Sequence, residues 1–415
     1  MKDKSDIKIE VPEAVGYILE RLHGAGYEAY IVGGCVRDCL LGRAPKDWDI
    51  TTSALPGEVK SLFYNTADTG LQHGTVTVIR NGAGYEVTTY RIDGEYKDGR
   101  HPESVTFTPS LEEDLKRRDF TINAFAYSPD KGVIDCFEGL KDLENGVIRA
   151  VGDPRKRFGE DALRIMRAVR FSAQLSFEIE ARTKAAISEF AGNLSMVSAE
   201  RKRVELEKTL FSANPDYVLQ FKEQGLMKYI IPGFKDTLIG EAEEELLRKA
   251  ADEPLTAGQE LAESDKYLRL AVLFKNFGYE PCRSVMRAMT FDNKSRDMAS
   301  HVIKYMETDM EKTPEAVKLA LYMIGEDVLP IVIRLKELMG FTAAKELGGI
   351  LENVLESGEP YRLSMLAVNG SDLVAAGVKQ GAGVGRRLDE LLRLVIRKPE
   401  LNDKETLIKF INEEE

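Results

Sequence analysis

Four cysteines and four histidines in 415 residues leave little material for a zinc site or a disulfide framework. Cys35, Cys39, Cys136 and Cys282 are scattered without CxxC spacing and read as reduced thiols. No apolar run approaches the roughly 18–20 residues of a membrane span, which argues against a membrane protein. The opening residues, MKDKSDIKIEVPE, are charged and lack the apolar core of a secretory signal, so a cytoplasmic protein is expected. Positive charge is in deficit as well: 57 Lys and Arg stand against 69 Asp and Glu, a net charge of −12. That balance excludes indiscriminate coating of nucleic acid but leaves room for a local basic groove. What remains is the composition of a globular protein, long enough for about two to four domains.

The most informative stretch is 31–56, IVGGCVRDCLLGRAPKDWDITTSALP. Residues 29–32 read as a short buried strand that Gly33-Gly34 ends. Paired glycines after a strand let backbone N–H groups approach a phosphate, and a short helix is expected over 36–41. Asp47 and Asp49 are two apart, so in a strand they project from one face with their carboxylates close together. Such a pair repels unless a cation sits between. Alone, a glycine pair or an Asp-x-Asp is a common turn; in this order the two suggest metal-assisted phosphoryl chemistry.

Helical periodicity predicts an amphipathic helix over 11–24 and another over 57–63. Residues 74–91 alternate around Asn81-Gly82 and predict a hairpin extending the same sheet. Glu86, in its second strand, either completes a carboxylate cage or is a plain surface residue. The polar, Gly-containing stretch 91–106 reads as a mobile loop. Ser110 with Glu113 forms a capping box, so a helix is expected to start there, carry Arg117, Arg118 and Asp119, and continue over 121–126. A strand is expected at 133–135. From about Arg149 no strand is evident and helical patterns run nearly to the end. The first helical block, 158–171, has a basic edge and face: Arg149, Arg155, Lys156, Arg157, Arg164, Arg167 and Arg170. Near the C-terminus the glycines between Asn369 and Arg387 either cradle a backbone phosphate or simply connect helices.

Asp161 and Arg164, at i and i+3, are expected on one helix face. Cytosine and adenine each present an amine donor beside a ring-nitrogen acceptor; uracil and guanine present the inverse. A carboxylate beside a guanidinium complements the first pattern and clashes with the second. From these two residues alone, an ion pair within one helix is the plainer account.

Taken in order, GGCVRDCLLGRAPKDWDITTSALP, YEVTTYR, LKRRDFTINAFAY, EDALRIMRAVRF and AERKRVELEK resemble the successive motifs of bacterial class II tRNA nucleotidyltransferases. These are the CCA-adding enzymes of the poly(A) polymerase family, within the DNA polymerase β-like superfamily. The likeness covers about the first half of the chain closely and the second half loosely. It implies an α/β nucleotidyltransferase head with a mixed sheet over 1–148, then an all-α neck (149–212), body (213–350) and tail (351–415). It implies that Asp47 and Asp49 hold two Mg²⁺ ions with Glu86 as third carboxylate, and that Gly33, Gly34 and Arg37 cradle the triphosphate. Asp119 would meet the ribose 2′-OH, with Arg118 and Asn123 close by. Asp161 and Arg164 would read the base, supported by Arg167, and the loop around 93–103 would switch C to A addition.

The expected reaction is template-independent addition of C, C and A to the 3′ end of tRNA from CTP and ATP, with release of pyrophosphate. Arg155, Arg157 and Arg170 of the neck, and Lys379, Arg386 and Arg387 of the tail, are expected to hold the RNA backbone. The alternatives are a poly(A) polymerase, an enzyme adding only CC or only A, and a tRNA-binding module with an inactive head. Oligomeric state is open.

Overall fold

The computed structural model describes residues 7–94, 104–251 and 261–413. Its described residues fall into two compact units, divided after Asp236 apart from short later segments. The first unit begins with α1 (Glu13–Gly24), β1 (Ala29–Val32), α2 (Gly34–Leu40), β2 (Asp49–Thr52), α3 (Pro56–Leu62), β3 (Thr66–Gly70), β4 (Thr75–Arg80) and β5 (Ala83–Thr89). It continues with β6 (Arg91–Asp93), β7 (Val105–Phe107), α4 (Leu111–Lys116), β8 (Phe125–Ser128), β9 (Gly132–Asp135), α5 (Gly139–Glu144) and β10 (Val147–Ile148).

Seven of these strands make one mixed sheet in the order β3-β4-β5-β2-β1-β8-β9. Only β2 and β5 pair in parallel within it. Alternation along each strand divides the side chains between two faces. Ile31, Ile50, Val76, Val78, Val87, Phe125 and Tyr127 turn to the face where α1 buries Val15, Ile18, Leu19 and Leu22. Each such aliphatic side chain contributes about 2 kcal/mol by leaving water. The opposite face carries a smaller apolar cluster of Tyr30, Val32, Tyr90, Leu115 and Ala126. Asp49 pairs with Val32, and Ile50 pairs in parallel with Val87. Asp49 and Glu86 therefore stand side by side on this second face, leaving the first free to be a core.

Beyond the sheet come α6 (Pro154–Glu160), α7 (Leu163–Leu175), β11 (Glu178–Ile179), α8 (Ala181–Phe190) and α9 (Ala199–Leu210). Contrary to an all-helical reading from Arg149, β11 pairs in parallel with β10. The second unit is helical in its described residues. One of its cores gathers Val317, Leu321, Leu329, Ile333, Leu347, Leu351 and Val354; another gathers Val368, Leu373, Leu391, Val395, Leu407 and Ile411. A body–tail boundary at 350 would cut the helix Ala344–Ser357, whose Leu351 and Val354 belong to the first of these cores. No described helix is long and apolar enough to cross a membrane.

Three further expectations are corrected. Strand β2 starts at Asp49, so Asp47 precedes it. The helix expected from Ser110 to 126 ends at Lys116; Thr121–Asn123 is a single 3₁₀ turn and Phe125–Ser128 is a buried strand beside β1. A short, fully apolar run such as FAY reads alike as buried strand or buried helix. The stretch 91–106 is not all loop, because β6 and β7 pair at its two ends. The rest of the expected switching loop, 95–103, lies outside the described residues.

Candidate active site

Gly33 has φ +83°, which favours glycine, and a Cβ there would lie 2.8 Å from Nη1 of Arg118. Its N–H donates to the Phe125 carbonyl at 3.2 Å, tying the turn between β1 and α2 to β8. Arg37, one turn into α2, is buried. Its guanidinium donates to Asp38 Oδ1 through Nε and Nη2, and to Asn123 Oδ1 through Nη1 at 2.6 Å.

Around this turn stand the three acids. Asp49 is exposed to solvent, yet partial loss of its hydration, then the charge of Asp47, pushes its carboxyl up against the opposing pull of Arg118. Glu86, also exposed, is raised by partial loss of hydration first and then by Asp49 and Asp47. The three thus share one electric field, although no three His, Cys, Asp or Glu side chains among the described residues stand close enough to cage a metal. A cation would offset the negative field at Asp49 and Glu86, and carboxylate oxygens are the donors a divalent ion takes, so the residues present fit one at Asp47 and Asp49 with Glu86 beside them.

Arg118 reaches this field from the second face. Burial lowers its pKa, while Asp114, Asp49 and Asp119 favour its charge. Its Nε is buried without a hydrogen-bond partner. Asp114 is wholly buried on α4 and accepts from Thr51 Oγ1 (3.2 Å), Arg91 N (3.3 Å) and Arg117 Nη2 (2.8 Å), with Arg118 Nη2 at 3.8 Å. Burial opposes its charge, yet Arg117 and Arg118 outweigh that and hold the carboxyl below the usual range. Asp114→Ala is expected to destabilise the protein by about 3–5 kcal/mol, since Arg117 and Arg118 each lose a buried carboxylate partner. Its urea midpoint reads this, and an unchanged midpoint contradicts it. The pH dependence follows in sign. The depressed carboxyls of Asp114 and Asp119 contribute stability that is full above their unfolded pKa and lost as pH falls through their folded values.

Asp119 anchors the next layer. Burial opposes its charge, but Arg167 and Asn123 hold its carboxyl far below the usual range. Oδ1 accepts from Phe120 N (2.8 Å) and Asn123 Nδ2 (3.0 Å); Oδ2 accepts from Arg167 Nε (2.7 Å) and lies 2.6 Å from Arg167 Nη2. A carboxylate accepts about four hydrogen bonds. A ribose hydroxyl can therefore reach Asp119 only where one of these donors yields.

Asp161 and Arg164 do not share a continuous helix. The chain breaks at Asp161 (φ −137°, ψ 106°), between α6 and α7. Asp161 Oδ1 accepts from Leu163 N at 3.0 Å, and Oδ2 pairs with Arg201 of α9 at 2.9 Å. Arg164 instead meets Glu160 at 2.8 Å and donates to the Arg117 carbonyl at 2.9 Å. The two therefore do not pair with each other, as the plainer account of them alone would have it. The break leaves both half-buried, Asp161 at the end of α6 and Arg164 in the first turn of α7, near the Asp119–Arg167 pair.

Two residues expected at the RNA surface are interior instead. Arg157 donates to Glu160 (2.7 Å) and to the Lys116 carbonyl (3.0 Å), and Arg170 pairs with Glu205 (2.6 Å); both are buried. Their charge is spent on holding α6 and α7 in place. Arg155 is exposed and pairs with Glu189. Lys379 and Arg386 are exposed and Arg387 is half-buried, paired with Glu390 at 2.8 Å. Sequence reasoning missed Asp114, Glu160 and Arg201 as organisers of the site. The only signal was an acid three and four residues before Arg117 and Arg118, and an Arg at the head of a motif helix.

A Gly-Gly turn, Asp49 and Glu86 side by side on a mixed sheet with Asp47 acting on both, and Arg118 beside the turn suit a nucleotidyltransferase. Residues 29–149 match the poly A polymerase head domain, 176–238 the probable RNA and SrmB- binding site of polymerase A, and 262–411 a putative tRNA nucleotidyltransferase domain 2. The CCA-adding enzyme of Pediococcus pentosaceus is 38% identical over 397 residues, 95% of this chain and 96% of its own. That of Levilactobacillus brevis is 40% identical over 404 residues, covering 95% and 96%. The solved CCA-adding enzyme of Bacillus stearothermophilus, in complex with CTP, is 36% identical, with a TM-score of 0.79 and 96% of each chain covered. The chain belongs to the CCA-adding enzymes and is a tRNA nucleotidyltransferase, so its reaction uses a divalent metal.

Proposed function

We propose that the protein adds C, C and A to the 3′ end of tRNA, with the tRNA 3′-hydroxyl displacing pyrophosphate from CTP or ATP, in the cytoplasm where that substrate is made. The observation that carries the site assignment is the shared field of Asp47, Asp49 and Glu86 beside a glycine turn and Arg118. In this reading Asp47 and Asp49 hold two Mg²⁺ ions with Glu86 as third carboxylate. Bound Mg²⁺ would lower the pKa of the attacking hydroxyl and offset charge on the departing phosphates.

The chain's own groups do the rest. Backbone N–H groups at Gly33 and Gly34, with Arg37 and Arg118, receive the triphosphate. Asn123 and Asp119 place the sugar, and Arg167, paired with Asp119, supports the two base readers from behind. Asp161 accepts from the exocyclic amine and Arg164 donates to the ring nitrogen of C or A, which leaves U and G facing like partners. Arg155, Lys379, Arg386 and Arg387 contact RNA phosphates, with 1–148 as head, 149–212 as neck, and body and tail parted beyond Tyr361.

The metal assignment has a direct test. Asp49→Asn relieves the mutual repulsion, so in metal-free buffer the variant should unfold about 2 °C above the parent. Added Mg²⁺ should raise the unfolding temperature of the parent and leave the variant unmoved. Equal Mg²⁺ responses in both proteins would place the ions elsewhere.

A further inference from the structure

Phe171, in α7, is 5% exposed, and its ring meets three guanidinium groups. Cζ of Arg170 stands 4.0 Å from the ring centroid, that of Arg37 5.0 Å and that of Arg167 5.3 Å. Three like charges around one ring repel, and each has its own carboxylate: Asp38 for Arg37 at 2.7 Å, Asp119 for Arg167 at 2.6 Å, Glu205 for Arg170 at 2.6 Å. The ring is itself held edge-on by Phe120, with centroids 5.8 Å apart at 80°. Phe120 in turn donates its N–H to Asp119.

Arg37 and Arg167 are therefore linked by two routes. One is polar and runs from Arg37 Nη1 to Asn123 Oδ1 (2.6 Å), then from Asn123 Nδ2 to Asp119 (3.0 Å), then to Arg167. The other is the face of Phe171. The polar route fixes which atoms meet but leaves two long side chains free to tilt. An aromatic face attracts each guanidinium through its quadrupole and restricts that tilt.

We infer that Phe171 is a positioning residue for the transfer reaction: its ring sets the separation between Arg37, at the phosphate turn, and Arg167, at the sugar and base end. The inference rests on the reading of those two arginines as parts of the nucleotide site. A leucine at 171 fills comparable space without the quadrupole, so both arginines would have to be ordered at the moment of binding. The loss falls on nucleotide binding, equally for CTP and ATP, because the base edge itself is met by Asp161 and Arg164, and Arg167 only supports them.

The test compares Phe171→Leu and Phe171→Tyr with the parent, by steady-state kinetics for CTP, ATP and tRNA, by calorimetric titration with CTP, and by thermal unfolding. For Phe171→Leu the KM of both nucleotides should rise about 10-fold, with the CTP dissociation constant following. The tRNA KM should stay within about twofold, because the RNA contacts proposed above lie elsewhere. Phe171→Tyr, which keeps the ring face, should restore the nucleotide KM. A residue that merely fills the core would instead lower the unfolding temperature and weaken tRNA and nucleotide alike.

Unchanged CTP affinity in Phe171→Leu overturns the inference, as does a tyrosine variant no better than the leucine one. Where leucine unfolds the protein, Phe171→Met fills the same space and is read by the same titration. Absence of transfer by the parent overturns the functional reading instead, and the CTP titration still decides the role of Phe171.

Discussion

Asp47→Ala should abolish nucleotide addition, with kcat falling by about 10⁴-fold or more, while tRNA affinity stays within about twofold. The expectation comes from position. Asp47 lies just ahead of β2, close enough to raise the carboxyls of Asp49 and Glu86, and none of the three is placed among the basic residues proposed to contact RNA. Removing it takes away a carboxylate that would hold the divalent ion opposite the developing oxyanions and leaves the sheet core untouched, since Ile50 and Val87 point to the other face. Asp49→Ala should give nearly the same loss, and the double variant little more, as expected of groups that act as one unit. Loss of tRNA binding by a folded Asp47→Ala protein would make this residue an RNA contact and sink the metal assignment.

The second large effect is on base choice. Asp161→Ala should lower kcat/KM for CTP and ATP by about 10²-fold or more, and narrow the preference for CTP over UTP by a similar factor. Asp161 is held at both oxygens, by Leu163 N and Arg201, so its orientation is set before a base arrives. Each oxygen still has a lone pair for an exocyclic amine. Arg164 is steadied independently, through Glu160 and the Arg117 carbonyl. Arg164→Ala should narrow the same preference. A UTP preference unchanged in both variants would mean that the base is read elsewhere.

Strands β1, β2, β4, β5 and β9, the glycine turn and the hairpin were legible because strand alternation and Gly-Gly punctuation are local properties, whereas β3 was not read. β2 and β5 sit as expected because Ile50 and Val87 demand one core face, which assigns Asp49 and Glu86 to the other. The fate of 117–128 was not legible: FAY is apolar on both faces, and nothing local says that it becomes the strand beside β1. The break at Asp161 was missed because EDALRIMR has unbroken helical propensity; the carboxylate capping Leu163 overrides it. The mistaken RNA roles of Arg157 and Arg170 share one cause. A run of arginines on a helix reads as a solvated basic face, and only tertiary partners, the Lys116 carbonyl for Arg157 and Glu205 for Arg170, turn two of them inward. Asp114 was invisible for the converse reason, an acid in an acidic helix start that the fold buries under two arginines.

The most direct test is a gel assay on tRNA lacking its 3′ CCA, with Mg²⁺ and CTP alone, ATP alone, or both. Two added residues with CTP, and three followed by a stop when both are present, is the expected result. A long ladder with ATP, extension by CC only or A only, or no extension by folded protein would contradict it.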